Sequence, residues 1–376
     1  MQICYVADGA SIHTQRWVNY FARKGHDVHL ICWKLMPGYN ENIHIHLLTR
    51  LAPKMWTVSR YPSALFWIFQ TRRLIKKIKP EIVDGHFITV YGFLAACSGF
   101  HPLVVSTWGS DILVQPKRNP LSKFTTKYAL RKADIIICLF SIDVAKEEIT
   151  ELGIDLNKIR TLLLGVDTAE FNPSRRDDKI RRTLGTESSQ PIVISTRTLA
   201  PIYNLETLVK AISLVLAEMP QAKFVIAGTG EHQGYLKELA RVQGISNSTK
   251  FIGWIPRTEL PKYLSSSDIY VSSSLSDGTS NSLLEAMACE LAPIVTDIPA
   301  NQPWINDGEN GFLFPTRDYK TLASKIIYLL NNEEVRKNFG RRSREIVQKK
   351  AEQQTEMKKL EGVYHELVKP NSILRK

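Results

Sequence analysis

Cysteine is scarce and scattered in this chain: five in 376 residues, at Cys4, Cys32, Cys97, Cys138 and Cys289. Four lie inside apolar runs and no two have the close spacing of a metal site, so they read as buried thiols in a reducing compartment. An apolar run of about 18 residues, the length that spans a bilayer, is missing. The start, MQICYVADGA, reads as a strand with no basic segment leading into a longer apolar one, so no signal peptide is expected. No D-x-D pair stands at a strand end and no His/Asp cluster is visible, so the metal ligands are expected to be none. There is no internal repeat and no low-complexity tract. These absences predict a cytoplasmic protein and leave room for a peripheral contact with the inner face of the plasma membrane.

What is present begins with charge. A formal +12 and a pI near 9.4 point to acidic partners: nucleotide phosphates, nucleic acid or an anionic membrane surface. A 44% hydrophobic and 23% charged composition is that of a globular protein, and the length calls for two domains of about 150–200 residues each. Short β-branched runs alternate with helical patterns. Strands are expected at 2–7, 27–33, 43–48, 81–86, 103–108, 134–140 and 158–164, then at 191–197, 223–228, 250–254, 268–273 and 292–297. Such alternation makes the fold class α/β, with two doubly wound, Rossmann-like parallel-sheet domains facing a central cleft. Gly and Pro interrupt the pattern at LLLGVDTAEFNPS (162–174), which places the domains at 1–166 and 167–350, followed by a C-terminal helix over 351–376 that can pack back on the first domain.

The stretch DGTSNSLLEAMA (277–288) raises the question of function. Read locally it is a turn and a helix start: Ser282 and Glu285 match the S/T-x-x-E capping box, and Asp277-Gly278 is a turn dipeptide. Its setting says more. It follows the strand DIYVSSS, at the strand end where a doubly wound domain binds ligands, and the next helix aims its positive dipole end at that place. Amides from Gly278 through Thr279, Ser280, Asn281 and Ser282 can hold a pyrophosphate, and the flanking carboxylates of Asp277 and Glu285 can accept from hydroxyls. A nucleotide sugar suits that set better than a nucleic acid.

Strand-DGTSNSLLEAMAC followed by PIVTDIPANQPWINDGENGFLF resembles the donor site of the GT-B glycosyltransferases, in particular glycosyltransferase family 4, with its E-x(7)-E pattern and downstream glycine turn. The likeness continues through IAGTGE (226–231), FIGWIPRTELPKYLSSSDIYV (251–271), GVD (165–167) and VADGASIHTQRWVNYFARKGHDVHLI (6–31), so nearly the whole chain is covered. By that resemblance Glu285 accepts from the donor ribose, Asp277 and the Gly278–Ser280 amides hold sugar and phosphates, and Arg197 neutralises the leaving diphosphate. Gly9, Ala10, Ser11 and His13 approach the donor phosphate and acceptor, and His86 and Asp111 take the places of the family's His and Gly-Ser-Asp near the reacting sugar. Two positions depart from the pattern: the first acid is Asp, and Ile202, Tyr203 and Asn204 stand where the family carries a Lys. Trp108 replaces the His that often precedes GSD.

The resemblance implies transfer with retention of configuration, catalysed by positioning and charge stabilisation with no protein nucleophile and no metal. The donor, a UDP- or GDP-sugar, enters as substrate and not as a cofactor. The acceptor is a glycan or lipid-linked saccharide in cell-surface polysaccharide or lipopolysaccharide assembly. YPSALFWIFQTRRLIKKIKP (61–80) and KRNPLSKFTTKYALRK (117–132) fit a core helix with a basic face or an interfacial helix on anionic lipid. Other readings stay open. AGTGEHQG gives a dehydrogenase G-x-G-x-x-x-G with no acid about 20 residues on. No zinc-finger spacing or RNP-like strand supports nucleic-acid binding. A GT-B epimerase or phosphorylase differs from a transferase in its products.

Overall fold

Runs of Ile and Val too short for a helix, bounded by Gly, Asp or Pro, become the strands of two all-parallel sheets, one in each of two units. The computed structural model describes residues 1–49, 60–139, 149–186 and 190–374. Residue 140 of the strand expected over 134–140, and the side chains at 61–63 of the basic segment, lie outside the described residues.

The first unit is Met1–Leu164 with Thr355–Lys376. Its strands are β1 (Gln2–Val6), β2 (Asp27–Cys32), β3 (Ile43–Leu47), β4 (Ile82–His86), β5 (Leu103–Thr107), β6 (Ile135–Cys138) and β7 (Ile159–Thr161), in the order β3-β2-β1-β4-β5-β6-β7. Because successive side chains in a strand point to opposite faces, one run feeds two cores. Cys4 and Val6 join Ile31, Ile75, Val83 and Val105 on one face, while Ile3 and Tyr5 join Trp17, Phe21 and Val104 on the other. The helices α1 (Ile12–Arg23) and α2 (Arg60–Ile78) contribute Trp17 and Phe21 to the second core and Ile75 to the first. The last helix, Gln353–Leu374, buries Met357, Leu360 and Tyr364, at the three-to-four spacing of one helix face, in the core that holds Tyr5. The chain leaves this unit at Leu164 and returns at Thr355, and Glu356 accepts a hydrogen bond from the Leu163 amide at 2.9 Å where the two passes meet.

The second unit, Gly165–Gln354, contains β8 (Ile192–Ser195), β9 (Lys223–Ala227), β10 (Thr249–Gly253), β11 (Ile269–Ser272), β12 (Ala292–Thr296) and β13 (Phe312–Phe314), ordered β10-β9-β8-β11-β12-β13. Eleven of the twelve expected runs end within two residues of a strand end, and the twelfth (158–164) gives the shorter β7. β13 lies inside the stretch read only as a glycine turn. Three residues are too few to show a period, and its pairing of Ile294, Val295 and Thr296 with Phe312, Leu313 and Phe314 is what makes it a strand. In each sheet the order reverses beside the first strand, between β1 and β4 and between β8 and β11. Loops leaving the carboxyl ends of those pairs diverge to opposite faces and open a crevice for a ligand.

Candidate active site

The second unit's reversal gathers most of the residues expected from the sequence. Arg197 leaves β8 and Asp277 leaves β11, and the helix Asn281–Ala288 begins directly after. Arg197 is buried; its Nη2 donates to Asp277 Oδ2 at 2.6 Å, and Nη1 donates to Ser280 Oγ at 2.7 Å and Ser282 Oγ at 2.8 Å. The Tyr270 hydroxyl donates to Ser282 Oγ at 2.9 Å, so β11 orients the same hydroxyl that receives the guanidinium. The Tyr203 ring lies 4.2 Å below the guanidinium. Burial lowers the Arg197 pKa, but the Asp277 carboxylate together with the Tyr270 and Tyr203 hydroxyls outweighs it, and the group sits above the ordinary arginine value. Gly228 lies against this strand end with φ +142°, and a Cβ there would meet the Arg197 carbonyl oxygen at 2.2 Å. Gly230 is packed as closely, its Cβ position 2.3 Å from the Leu199 carbonyl oxygen, so close backbone packing accounts for the first two glycines of AGTGEHQG, whereas Gly234 meets nothing.

The helix start differs from the capping box read in the sequence. Ser280, not Ser282, is the N-cap, its Oγ receiving the Leu283 amide at 3.4 Å, and Glu285 does not reach back. Ser282 is occupied by Arg197 and Tyr270, and Glu285 by an ion pair with Arg257 at 2.9 Å, so tertiary charge pairing overrides the local motif. The amides of Thr279 and Ser280 have no hydrogen-bond partner among the described residues, and Gly278 N is held by Asp277 Oδ1 at 2.9 Å. With Asn281 at the first helical position, this turn presents amides and the positive helix end in one place. Arg257 was not singled out in the sequence, because a lone Arg after WIP carries no motif. It pairs with Glu285 and, at 3.2 Å, with Glu170, its guanidinium 4.9 Å from the Phe171 ring.

The first unit's residues collect at its own reversal. Gly9 and Ala10 turn after β1, Ala10 N bonding Asp8 Oδ1 at 3.0 Å, and Ser11 caps α1 through its backbone with no side-chain cap bond. His13 lies 5.3 Å from Trp108, centroid to centroid. His86 ends β4, buried between Trp17 at 4.9 Å, Trp108 at 5.3 Å and Tyr5 at 5.4 Å, with Asp84 Oδ2 3.6 Å from its Nε2. Among the described residues neither ring nitrogen has a hydrogen-bond partner. Asp84 is itself buried and accepts from Ser106 Oγ and from the Tyr364 hydroxyl of the last helix. Asp111 is buried, its two oxygens accepting from the Trp108 and Ile88 amides at 2.9 and 3.0 Å. Burial pushes its carboxyl up to about 6 against the pull of those amides. It thus ties the GSD turn to the segment after His86.

Two features fall elsewhere. A concavity of about 1100 Å³ lined by Phe312, Lys325, Tyr328, Phe339 and Arg342 contains none of the expected site residues. The expectation of no His/Asp cluster is overturned: Asp27, His29 and His44 come together within 4.8 Å, because β2 and β3 pair in parallel with His29 opposite His44.

Comparison with known proteins places both halves in the same company. Residues 176–346 match the family described as "Glycosyl transferases group 1" and residues 2–139 that described as "Glycosyl transferase 4-like". Over 380 aligned residues the chain is 23% identical to the N-acetyl-alpha-D-glucosaminyl L-malate synthase of Bacillus anthracis, covering 97% of this chain and 96% of that one. It is 26% identical, over 82% of its length and 81% of the other's, to an Escherichia coli UDP-Gal:alpha-D-GlcNAc-diphosphoundecaprenol alpha-1,3-galactosyltransferase. The structure of Anabaena HepE in complex with UDP and glucose superimposes with a TM-score of 0.78 at 16% identity, covering 96% of this chain and 99% of that one.

Proposed function

Because the chain belongs to the group 1, family 4 type glycosyltransferases and has the GT-B fold, we propose that it moves a sugar from a UDP- or GDP-sugar to a glycan or lipid-linked saccharide, with retention of anomeric configuration, in cell-surface polysaccharide or lipopolysaccharide assembly. The observation that carries the reading is the Arg197 guanidinium, fixed by Asp277, Ser280 and Ser282 beside an open helix start at the β8/β11 reversal. A diphosphate set there meets a permanent cation and unpaired amides, and both stabilise the charge that develops on the leaving group.

The roles divide by chemistry. Glu285, held at one oxygen by Arg257, offers the other to the ribose hydroxyls of the donor. Asp277 fixes the plane of Arg197 and, through its other oxygen, the Gly278 amide, and its role is to hold this turn for the donor. Tyr203 occupies the place of the family's Lys and stacks on Arg197, while Arg257, ion-paired to Glu285 and Glu170, fixes the Glu285 carboxylate. In the first unit, the Gly9–His13 turn and the adjoining rings of Trp108 and His13 offer a stacking surface to an acceptor sugar, while His86 and Asp111 hold Trp108.

A lipid-linked acceptor accords with the name of the E. coli relative and with one exposed surface. On α2, Leu74 and Ile75 pack inward while Leu65, Phe66 and Phe69 are 69%, 40% and 65% exposed, followed by exposed Arg72, Arg73 and Lys76. No described helix is long and apolar enough to cross a membrane. We assign this face to an anionic lipid surface.

The test is a panel of UDP- and GDP-sugars offered with a lipid-linked saccharide acceptor, the product's anomeric proton being read by NMR. An inverted linkage refutes retention. Release of free sugar or an epimerised donor, with no acceptor product, refutes transfer to the proposed acceptor.

A further inference from the structure

Four polar side chains share one face of the first unit's sheet at its β3 edge: Asp27 and His29 on β2, and His44 and His46 on β3. Alternation puts positions two apart on the same face, and the register sets His29 opposite His44. Asp27 Oδ1 lies 3.4 Å from His29 Nε2 and 3.4 Å from His44 Nε2. Ligand atoms about 2.0–2.1 Å from a tetrahedral ion are about 3.3–3.4 Å from one another, so both measured edges are those of a tetrahedral site.

We propose that Asp27 Oδ1, His29 Nε2 and His44 Nε2 bind a divalent transition-metal ion of the Zn²⁺ class, remote from the transfer chemistry, which clamps the edge strand β3 to β2.

The surroundings favour this over a chance meeting of polar groups. His29 Nδ1 is 3.0 Å from His46 Nε2, the outer contact that fixes a ligand imidazole's tautomer and orientation. The Gln2 amide nitrogen stands 2.9 Å from Asp27 Oδ2 and 3.2 Å from His29 Nε2, so a lone pair on that Nε2 faces outward. Turning the Gln2 amide over presents its oxygen to the same point as a fourth ligand; a water serves equally. Two imidazoles and one carboxylate suit Zn²⁺ or its neighbours better than Mg²⁺ or Ca²⁺, which take oxygen. The site sits on the amino half of β2, whereas Gly9–His13 and His86 follow the carboxyl ends of β1 and β4. Among the described strands β3 is at the sheet edge with β2 as its one neighbour, and a cross-strand ion holds such an edge in register.

The experiment is calorimetric titration of the untagged full chain with ZnCl2 in a non-coordinating buffer, alongside melting curves. One Zn²⁺ should bind per chain and raise Tm. His44→Ala and Asp27→Asn should each weaken binding at least tenfold, and His46→Ala by about 10- to 100-fold. His101→Ala, at a separate exposed His–Asp pair, should leave it unchanged. Metal-free melting of each variant verifies that it folds. Absence of saturable binding overturns the proposal, as does binding that survives both His44→Ala and Asp27→Asn. Loss of sugar transfer on EDTA treatment overturns the placement away from the chemistry.

Discussion

Arg197 uses both terminal nitrogens on Asp277, Ser280 and Ser282, so its removal has two separable effects. Arg197→Ala should lower kcat by about 10²–10³, as loss of a preorganised charge donor does. It should also cost about 3–5 kcal/mol of stability, because Asp277 is left half-buried without its partner. Glu285→Ala should abolish most transfer while melting nearly as wild type, since Arg257 keeps Glu170 as a partner. Steady-state kinetics beside thermal melts separate the two, and normal turnover in both variants refutes the site. Asp111 gives a pH signature. Its folded carboxyl is raised from 3.8 to about 6, so its contribution to stability is full below pH 3.8 and is lost as pH rises through 6. Relative to Asp111→Asn, the wild type should therefore lose up to about 3 kcal/mol between pH 4 and 6, read as the difference between their melting curves. Of these residues Asp277 and Glu285 were read in the sequence from their spacing around a turn at a strand end, and Arg197 from the family resemblance. Arg257 was not, since only folding carries it to Glu285.

At the scale of elements, how helices end and where they dock decide two outcomes. The helix Asn281–Ala288 stops at Glu290, which adopts φ +63°, the left-handed conformation that a helix terminus normally gives to glycine. Its ion pair with Arg344, at 3.9 Å, is too long to offset the strain. Glu290→Gly should stabilise the protein by about 1 kcal/mol, seen as a higher denaturation midpoint. The last helix is pinned by the Tyr364 hydroxyl on Asp84, in a core where Phe21 stacks on the Tyr364 ring at 5.2 Å. Tyr364→Phe keeps the ring and strips a partner from a buried carboxylate, and should cost about 1–3 kcal/mol in urea denaturation. The strands were readable because strands buried on both faces of a parallel sheet carry continuous β-branched runs, which the sequence shows directly. The capping box was misread because its Ser and Glu are claimed by distant partners, and β13 went unseen because pairing, not composition, creates it.

For the molecule as a whole, the +12 charge is a long-range property, whereas the exposed Leu65 and Phe69 beside Arg72 and Arg73 are a local one. Flotation with anionic against neutral vesicles distinguishes them. The proposed lipid face predicts anionic-selective flotation that weakens in high salt and falls sharply in Leu65→Asp/Phe69→Asp, and equal recovery with both vesicle types refutes it. The amino-acid order alone determined the α/β class, the division into two parallel-sheet units and the strand ends that carry Arg197, Asp277 and His86, because these follow from short-range periodicity and turn chemistry. Tertiary structure alone decided that Tyr203 stacks on Arg197, that Arg257 meets Glu285, and that histidines on two strands stand beside one aspartate. Those pairings depend on register and on packing between segments far apart in the chain, and no local pattern encodes either.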